Sequence, residues 1–385
     1  MSVTVQLAVG GSPVPEAFYD LIQQLEVEEC SDRPSALLLR LPVNRTSAGD
    51  LQFVGDGTFE PYTPISLLVT PAGQSAQCVF DGYVLSWQLN LDRSSSSSTI
   101  DLWAQDASLL MNVQDNVVEW SGLTDGEVAN AIFATYGFSA AAANTENDSP
   151  AHTPEGHTLL QRATDLQFLR GLARRSGKLC RVACGEEPGE RTGYFAAPAV
   201  GEEPAATISL VEPDSWTVDR LRFDWDALRP TEVLASQVDL DESASEGVAV
   251  SAGESGLVAL DARSYATYVG EPSSLLLSAP ADVPELEQRS AAVLSETNFF
   301  TRCTGEVDAD RLGGILRVGE VVTIEGAGSI HSGNWLVWEI RHSFSLDSFK
   351  MSFTLVRNAM GPAAEGGSLS SLAGALAGPG GASAL

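Results

Sequence analysis

The sequence predicts a mainly β protein with α+β insertions, and three observations carry that reading. The first hundred residues repeat short apolar/polar alternations separated by turn residues. The same alternation returns from Ala206 and again after residue 300. Between and within these stretches lie helical segments, two of them opened by capping boxes.

Val3, Val5, Leu7 and Val9 alternate with Ser2, Thr4, Gln6 and Ala8, which puts the apolar set on one face of a strand. Residues 16–29 include a short helical or extended turn. Leu37, Leu39 and Leu41 resume the alternation, closed by Pro42, and Ile65–Thr70 forms a strand held between Pro64 and Pro71. Val79–Leu91 is the longest run, with Val79, Tyr83, Leu85, Trp87, Leu89 and Leu91 on one side. Asp81 breaks that face and predicts a bulge or strand end near Gly82. Arg93 and Ser94–Ser98 read as a solvated hairpin loop, after which Ile100, Leu102 and Ala104 return to the sheet. Five or six strands in about a hundred residues indicate a barrel or a sandwich.

Thr124 and Glu127 form a capping box, predicting a helix that turns Val128, Ala131, Ile132 and Phe133 inward and ends by Gly137. Ala140–Gly156 is low in complexity and reads as a mobile insertion. Thr164 and Gln167 form the second box. Leu166, Leu169, Leu172 and Ala173 then make one apolar stripe, Arg170, Arg174 and Arg175 place cations toward the C-terminal end, and Gly177 stops the helix. Leu179–Val182 follows as a short strand, and two acidic turns, 185–190 and 201–204, flank another at Tyr194–Phe195.

From Ala206 the β pattern resumes, with a strand over Trp216–Trp225 ended near Pro230. Residues 236–298 interrupt it with small-residue loops and one helix, Val283–Asn298. Leu316–Ile324, Trp335–Phe344 and Phe349–Leu355, whose odd-numbered positions are all apolar, complete a second barrel split by that insertion. A Gly/Ala/Ser-rich tail over 359–385 reads as a flexible terminus.

The formal net charge of −29, from 51 acidic and 22 basic residues, repels phosphate backbones and anionic lipids and argues against nucleic-acid or membrane-surface partners. Met1–Val9 alternates and lacks a basic leader, and no run is apolar enough to span a bilayer, so synthesis in the cytoplasm as a soluble protein is expected. The five cysteines, Cys30, Cys78, Cys180, Cys184 and Cys303, are odd in number and lack CxxC spacing, which predicts free thiols. Cys180 and Cys184 would need two further ligands to hold zinc, and the four histidines do not supply them.

No nucleophile elbow, HExxH motif or phosphate loop occurs. Gly326 and Gly328 begin a dinucleotide fingerprint, but His331 stands where its third glycine belongs. Asp239–Glu242 and Asp308–Asp310 bring carboxylates together without the rest of a calcium loop and read as solvated turns. His342, on the apolar face with Leu336, Trp338, Ile340 and Phe344, reads as a hydrogen-bonded core histidine, and His331 as exposed in a Gly/Ser turn. No catalytic, cofactor-binding or metal-ligating residue is assigned, and the chain is expected not to be an enzyme.

Three stretches resemble one family. Thr164, Asp165, Leu166, Phe168, Leu169, Arg170, Leu172, Ala173 and Gly177 match the middle-domain helix of baseplate hub proteins of contractile tails: the phage late-control D proteins, the hub part of type VI secretion spike proteins, and the myophage hub. Phe80-Asp-Gly-Tyr-Val84 resembles a recurrent hairpin of that family's first barrel, and Ile100–Leu110 the strand and turn that leave it. Leu316–Val337, with Glu339–Phe344, resembles its last hairpins. Glu320 replaces the usual Asp, and the Ser run and acidic loops are longer, which bears on loop geometry and leaves the fold standing.

The resemblance covers about residues 1–360 and implies two tube-type β-barrel domains, at 1–106 and at 206–235 with 299–358. An α+β middle domain at 107–205, an α+β insertion at 236–298 and the tail at 359–385 complete the chain. It implies a structural baseplate hub subunit of a phage tail or phage-tail-like particle: a homotrimer adapting a trimeric spike to a hexameric inner tube, with the other baseplate subunits as further partners. Spike-bearing relatives continue into an OB-type domain and a β-helix needle where this chain has its tail, so the spike is expected as a separate protein. A carbohydrate- or peptidoglycan-binding β module is the alternative, resting on the helix-on-sheet middle region and seven tryptophans. Most of those tryptophans lie in alternating strands where a core role suffices.

Overall fold

A computed structural model describes residues 3–93, 97–140, 144–153, 158–212, 216–238, 245–251, 255–270, 273–278, 283–345 and 348–361. The Asp239–Glu242 run, Ser94–Ser96 and the tail beyond Gly361 lie outside these residues.

The first sheet region comprises β1 (Thr4–Val9), β2 (Ser12–Pro13), β3 (Gln24–Cys30), β4 (Ala36–Pro42), β5 (Pro64–Thr70), β6 (Gln77–Asn90) and β7 (Thr99–Asp106), with helix α1 (Glu16–Tyr19) between β2 and β3. Leu7, Val27, Leu37, Leu39, Leu41, Leu67 and Leu102 are fully buried, so the alternation sets the inner face as expected. Each such side chain contributes about 1.5–3 kcal/mol of apolar burial.

Two details differ from the sequence reading. Residues 24–30 are a full strand, because Leu25 and Val27 alternate inward while Glu26 and Glu28 do not. The ladder shift in β6 against β7 falls between Val84 and Ser86, leaving Leu85 as the extra residue, rather than near Gly82. It transfers the inward phase to Trp87 and Leu89, opposite Leu102 and Ile100, and takes Tyr83 off that face. A second shift occurs against β5 between Leu67 and Leu68. Gly82 has a different role: a Cβ there would collide with the Gln105 carbonyl of β7.

The middle region holds β8 (Asp115–Trp120), α2 (Asp125–Thr135), β9 (Leu159–Thr164), α3 (Asp165–Arg175), β10 (Leu179–Cys184) and β11 (Arg191–Ala196). Thr124 and Glu127 make the reciprocal capping box of α2, and Thr164 accepts from the Gln167 amide at the start of α3. Ala129, not Ala131, joins Val128, Ile132 and Phe133 in the core. The described part of the insertion, residues 144–153, is packed: Thr145 bridges to Phe195, and His152 is buried 2.7 Å from Asp125.

The second sheet region contains β12 (Ala206–Ser209) and β13 (Val218–Trp225), then, after an insertion, β18 (Thr301–Asp308), β19 (Val321–Glu325), β20 (Gly333–Phe344), β21 (Phe349–Arg357) and β22 (Ala359–Met360). The insertion carries β14 (Glu232–Val238), β15 (Ser245–Ser251), β16 (Arg263–Ser264), α4 (Tyr265–Val269), β17 (Ser274–Ser278) and α5 (Val283–Thr297). Strands β15, β14 and β17 form a three-stranded sheet within the insertion, where the small-residue pattern of the sequence suggests loops around one helix, and Leu294 of α5 packs with Val233 of β14. The short helices α6 (Ala309–Leu312) and α7 (Gly328–His331) complete the chain.

The two sheet regions repeat one topology. Strand order is β3-β4-β7-β6-β5-β1 in the first and β13-β18-β21-β20-β19-β12 in the second, the same permutation of chain order. The last pair differs in direction, β1–β5 being antiparallel and β12–β19 parallel. The ladder shift recurs too: Val84/Ser86 in β6 against β7 has its counterpart at Val337/Glu339 in β20 against β21. The regions join by antiparallel pairing of β20 with β3, from Glu339↔Cys30 to Phe344↔Leu25. One continuous core runs beneath both. The protein is thus mainly β with α+β elements, the class the sequence predicts.

Candidate functional site

The β3–β20 joint is closed by a buried polar cluster. Glu29, two residues beyond Val27 on the inward face of β3, is opposite Ile340. The next inward residue of β20, His342, is fully buried and places Nε2 2.9 Å from Glu29 Oε1. Arg317, in the loop before β19, donates through Nε to Glu29 at 2.8 Å, through Nη1 to the Cys78 carbonyl at 2.8 Å, and lies 3.4 Å from Cys184 Sγ.

Burial alone would raise the Glu29 carboxyl, but the Arg317 guanidinium and the His342 hydrogen bond outweigh it and hold it at about 2. Burial pushes His342 below its ordinary value, so the neutral ring donates from Nε2 to the carboxylate. Arg191 of β11 clamps the buried Asp81 of β6 at 2.7 Å and donates to the Tyr83 hydroxyl at 2.7 Å. These contacts fix both sheet regions and the middle region to one another.

The other residues weighed from sequence have structural surroundings. All five cysteines are free thiols. Burial pushes Cys180 up to about 12. Asp308 caps α6 by accepting from the Asp310 and Arg311 amides. Gly326, at φ 79°, packs against the backbone of Leu210 and Val211. His331 is half-buried instead of exposed, stacked on Phe223 with ring centroids 4.5 Å apart. Among the described residues no group of three or more His, Cys, Asp or Glu could hold a metal ion, and no helix is long and apolar enough to cross a membrane.

A cleft of about 540 Å³ opens between α3, α5 and the sheet, with Arg170, Arg174, Lys178, Phe299 and Trp338 in its walls. Its cations are already engaged: Arg170 with the Asp32 carbonyl, Arg174 with Glu296 at 2.9 Å, and Lys178 with Asp148.

The remaining feature is a pair of unpartnered strand edges. β5 covers only Gln77–Tyr83 of β6, so among the described residues Ser86–Asn90 pair with β7 alone. At the other end of the sheet, β13 pairs only with β18. Both edges expose apolar side chains: Leu85 is 48%, Trp87 45%, Leu91 59% and Trp225 55% accessible. The core role expected for most tryptophans therefore fails for Trp87, Trp216 and Trp225; Trp335 is the one that is fully buried.

His342 is the hydrogen-bonded core histidine that the sequence predicts, whereas sequence reasoning missed its partners Glu29 and Arg317 and the two strand edges. A carboxylate at the inward position after Leu25 and Val27, and a strand of 14 residues beside one of 7, are the signals that point to them.

Comparison with known proteins places this architecture. The chain is similar to the 43 kDa tail protein of prophage MuSo2 from Shewanella oneidensis, with TM-score 0.67 and 14% identity over 93% of this chain and 100% of that one. It is similar to a tail protein from Neisseria meningitidis, with TM-score 0.62 and 14% identity over 93% of this chain and 97% of that one. A component of the E. coli type VI secretion system, described as structurally similar to the T4 tail proteins gp27 and gp5, gives TM-score 0.54 and 10% identity over 94% of this chain and 80% of that one. At these identities the likeness is one of fold, shared with phage tail and type VI secretion proteins. No curated protein sequence matches the chain. The family model described as the Alg8 N-terminal domain matches residues 1–345, and the chain belongs to that family.

Proposed function

We propose that the chain is a structural baseplate hub subunit of a contractile injection machine, a phage tail or phage-tail-like particle. In this reading three copies form a ring that adapts a separate trimeric spike to the hexameric inner tube. Residues 1–106 and 206–235 with 299–358 are its two tube-type domains, 107–205 the middle domain, 236–298 an insertion and 359–385 a tail.

The observation that carries the reading is the repeated sheet topology joined through β3 and β20. Two like β units in each chain let a three-fold assembly present six like units, which matches a hexameric partner. The fold likeness to tail and type VI secretion proteins supports it. The work of such a subunit is mechanical, so its determinants are interface area and stiffness rather than a reacting group. The buried Glu29–His342–Arg317 cluster supplies stiffness between the units.

The test is light scattering of the purified chain at low and high salt, then co-purification with tube and spike proteins of a contractile particle. A trimer that binds both supports the reading. The exposed Trp87, Trp216 and Trp225 favour the glycan-binding alternative as a second reading; retention on immobilised peptidoglycan by a chain that stays monomeric would select it.

A further inference from the structure

The internal repeat assigns a partner to the unpaired edges. Aligning the two regions on their ladder shifts makes Leu85 the counterpart of Trp338, and Ser86–Leu91 the counterpart of Glu339–Phe344. Aligning β13–β18 on β3–β4 through the same neighbours makes Phe223, opposite Cys303, the counterpart of Val27, opposite Leu37. Leu221 then corresponds to Leu25 and Trp225 to Glu29. Within the chain, the stretch Glu339–Phe344 pairs with β3. Its counterpart on β6 and the counterpart of β3, which is β13, each lack a strand partner on their outer side among the described residues.

We propose that a second copy of this chain pairs its β6 segment Ser86–Leu91 antiparallel with the outer edge of β13, in the register of the internal joint, so that Trp87 faces Trp225. Carrying the internal register across sets Trp87 opposite Trp225, Leu89 opposite Phe223 and Leu91 opposite Leu221 on the inward face. On the outward face Gln88 meets Asp224 and Asn90 meets Arg222. Apolar residues thus meet apolar ones and polar residues polar ones along the whole overlap, which a register one residue out would destroy. The pairing closes these two edges and covers Trp87, Leu91 and Trp225, whose exposure is otherwise unexplained.

The chemistry of the two joints differs in a consistent way. Positions held by Glu29 and His342 inside the chain are held by Trp225 and Leu89 at the edges. A buried carboxylate is tolerated where folding brings Arg317 to it. A surface that must stay soluble before association and lose water on contact is better served by aromatic and aliphatic groups.

This contact rests on the trimeric reading above, and the experiment separates the two. Full-length Trp87→Cys chain is mixed with full-length Trp225→Cys chain at high salt and treated with a short bis-maleimide. Light scattering is run in parallel, and unsubstituted chain controls for the native thiols. A covalent dimer linking residue 87 to residue 225 in peptide mass spectra is expected, at least tenfold above the mixture of Trp87→Cys with Leu221→Cys. A trimer in solution that gives no 87–225 link, or links equally to 221, overturns the register while leaving the trimer standing. A monomer under every condition, with and without the spike and tube proteins, overturns both. Trp87 and Trp225 are exposed and Leu221 is half-buried against the core, so an unchanged thermal transition is required of all three variants.

Discussion

Glu29 and His342 approach to 2.9 Å across the β3–β20 joint, diagonal neighbours on the inward face of a ladder whose other inward residues are apolar. With Arg317 at 2.8 Å they form a charge-compensated cluster in the interior. Taking one charge away leaves the other stranded there.

Glu29→Gln is therefore expected to cost about 3 kcal/mol, because the buried Arg317 loses its counter-charge. The pH dependence follows from the sign of the shift. Glu29 titrates at about 2 in the folded chain against an ordinary 4.5, so its contribution is complete above the ordinary value and is lost as pH falls toward 2. Denaturation curves for both proteins should converge as pH drops through that window. A gap that stays constant down to pH 2 would contradict the assignment.

Asp106 gives the opposite slope. Burial raises it to about 6 despite hydrogen bonds from the Ser35 and Ser108 amides. A carboxyl raised above its ordinary 3.8 contributes most when protonated, and that contribution is lost as pH rises through 6. Asp106→Asn keeps an acceptor for one of the two amides and should remove up to about one proton of linkage between pH 4 and 6. Potentiometric or thermal titration of the two proteins checks this; identical slopes would contradict it.

Gly82 and Gly305 occupy close approaches inside the two sheet regions. A Cβ on Gly82 meets the β7 backbone, and one on Gly305 lies 2.6 Å from both Leu221 and Phe353 side chains. Either Gly→Ala change is expected to cost more than about 3 kcal/mol or to prevent folding. Gly171, exposed in α3 with nothing within 4 Å of its would-be Cβ, should instead gain about 0.5–1 kcal/mol as Ala. Equal effects at Gly82 and Gly171 would show that the approach of β7 is not as described.

The parts of this fold that were legible are those set by local chemistry. Thr124 with Glu127 and Thr164 with Gln167 mark helix starts because the cap and its partner sit within one turn. Phe349, Met351, Phe353 and Leu355 mark an inward face because strand periodicity is fixed by the pleat. What was hidden depends on partners distant in sequence. Trp87 and Leu39 look alike in an alternating run, and only the short reach of β5 leaves Trp87 uncovered. Glu29 is one of several acidic residues in β3 and is distinguished by Arg317, 288 positions away. The strands of the insertion carry small residues such as Ala235 and Ser236, whose pattern gives little hydrophobic periodicity.

The proposed ring-forming role has to contend with a formal charge of −29 on every copy. Three copies triple that charge, so mutual repulsion opposes assembly at low ionic strength and is screened as salt rises. The most direct measurement is the molar mass by light scattering of the full chain over a salt series. The account predicts a mass three times that of the chain, more populated at high salt than at low. A single-chain mass at every salt, unchanged by added spike and tube proteins, would contradict it.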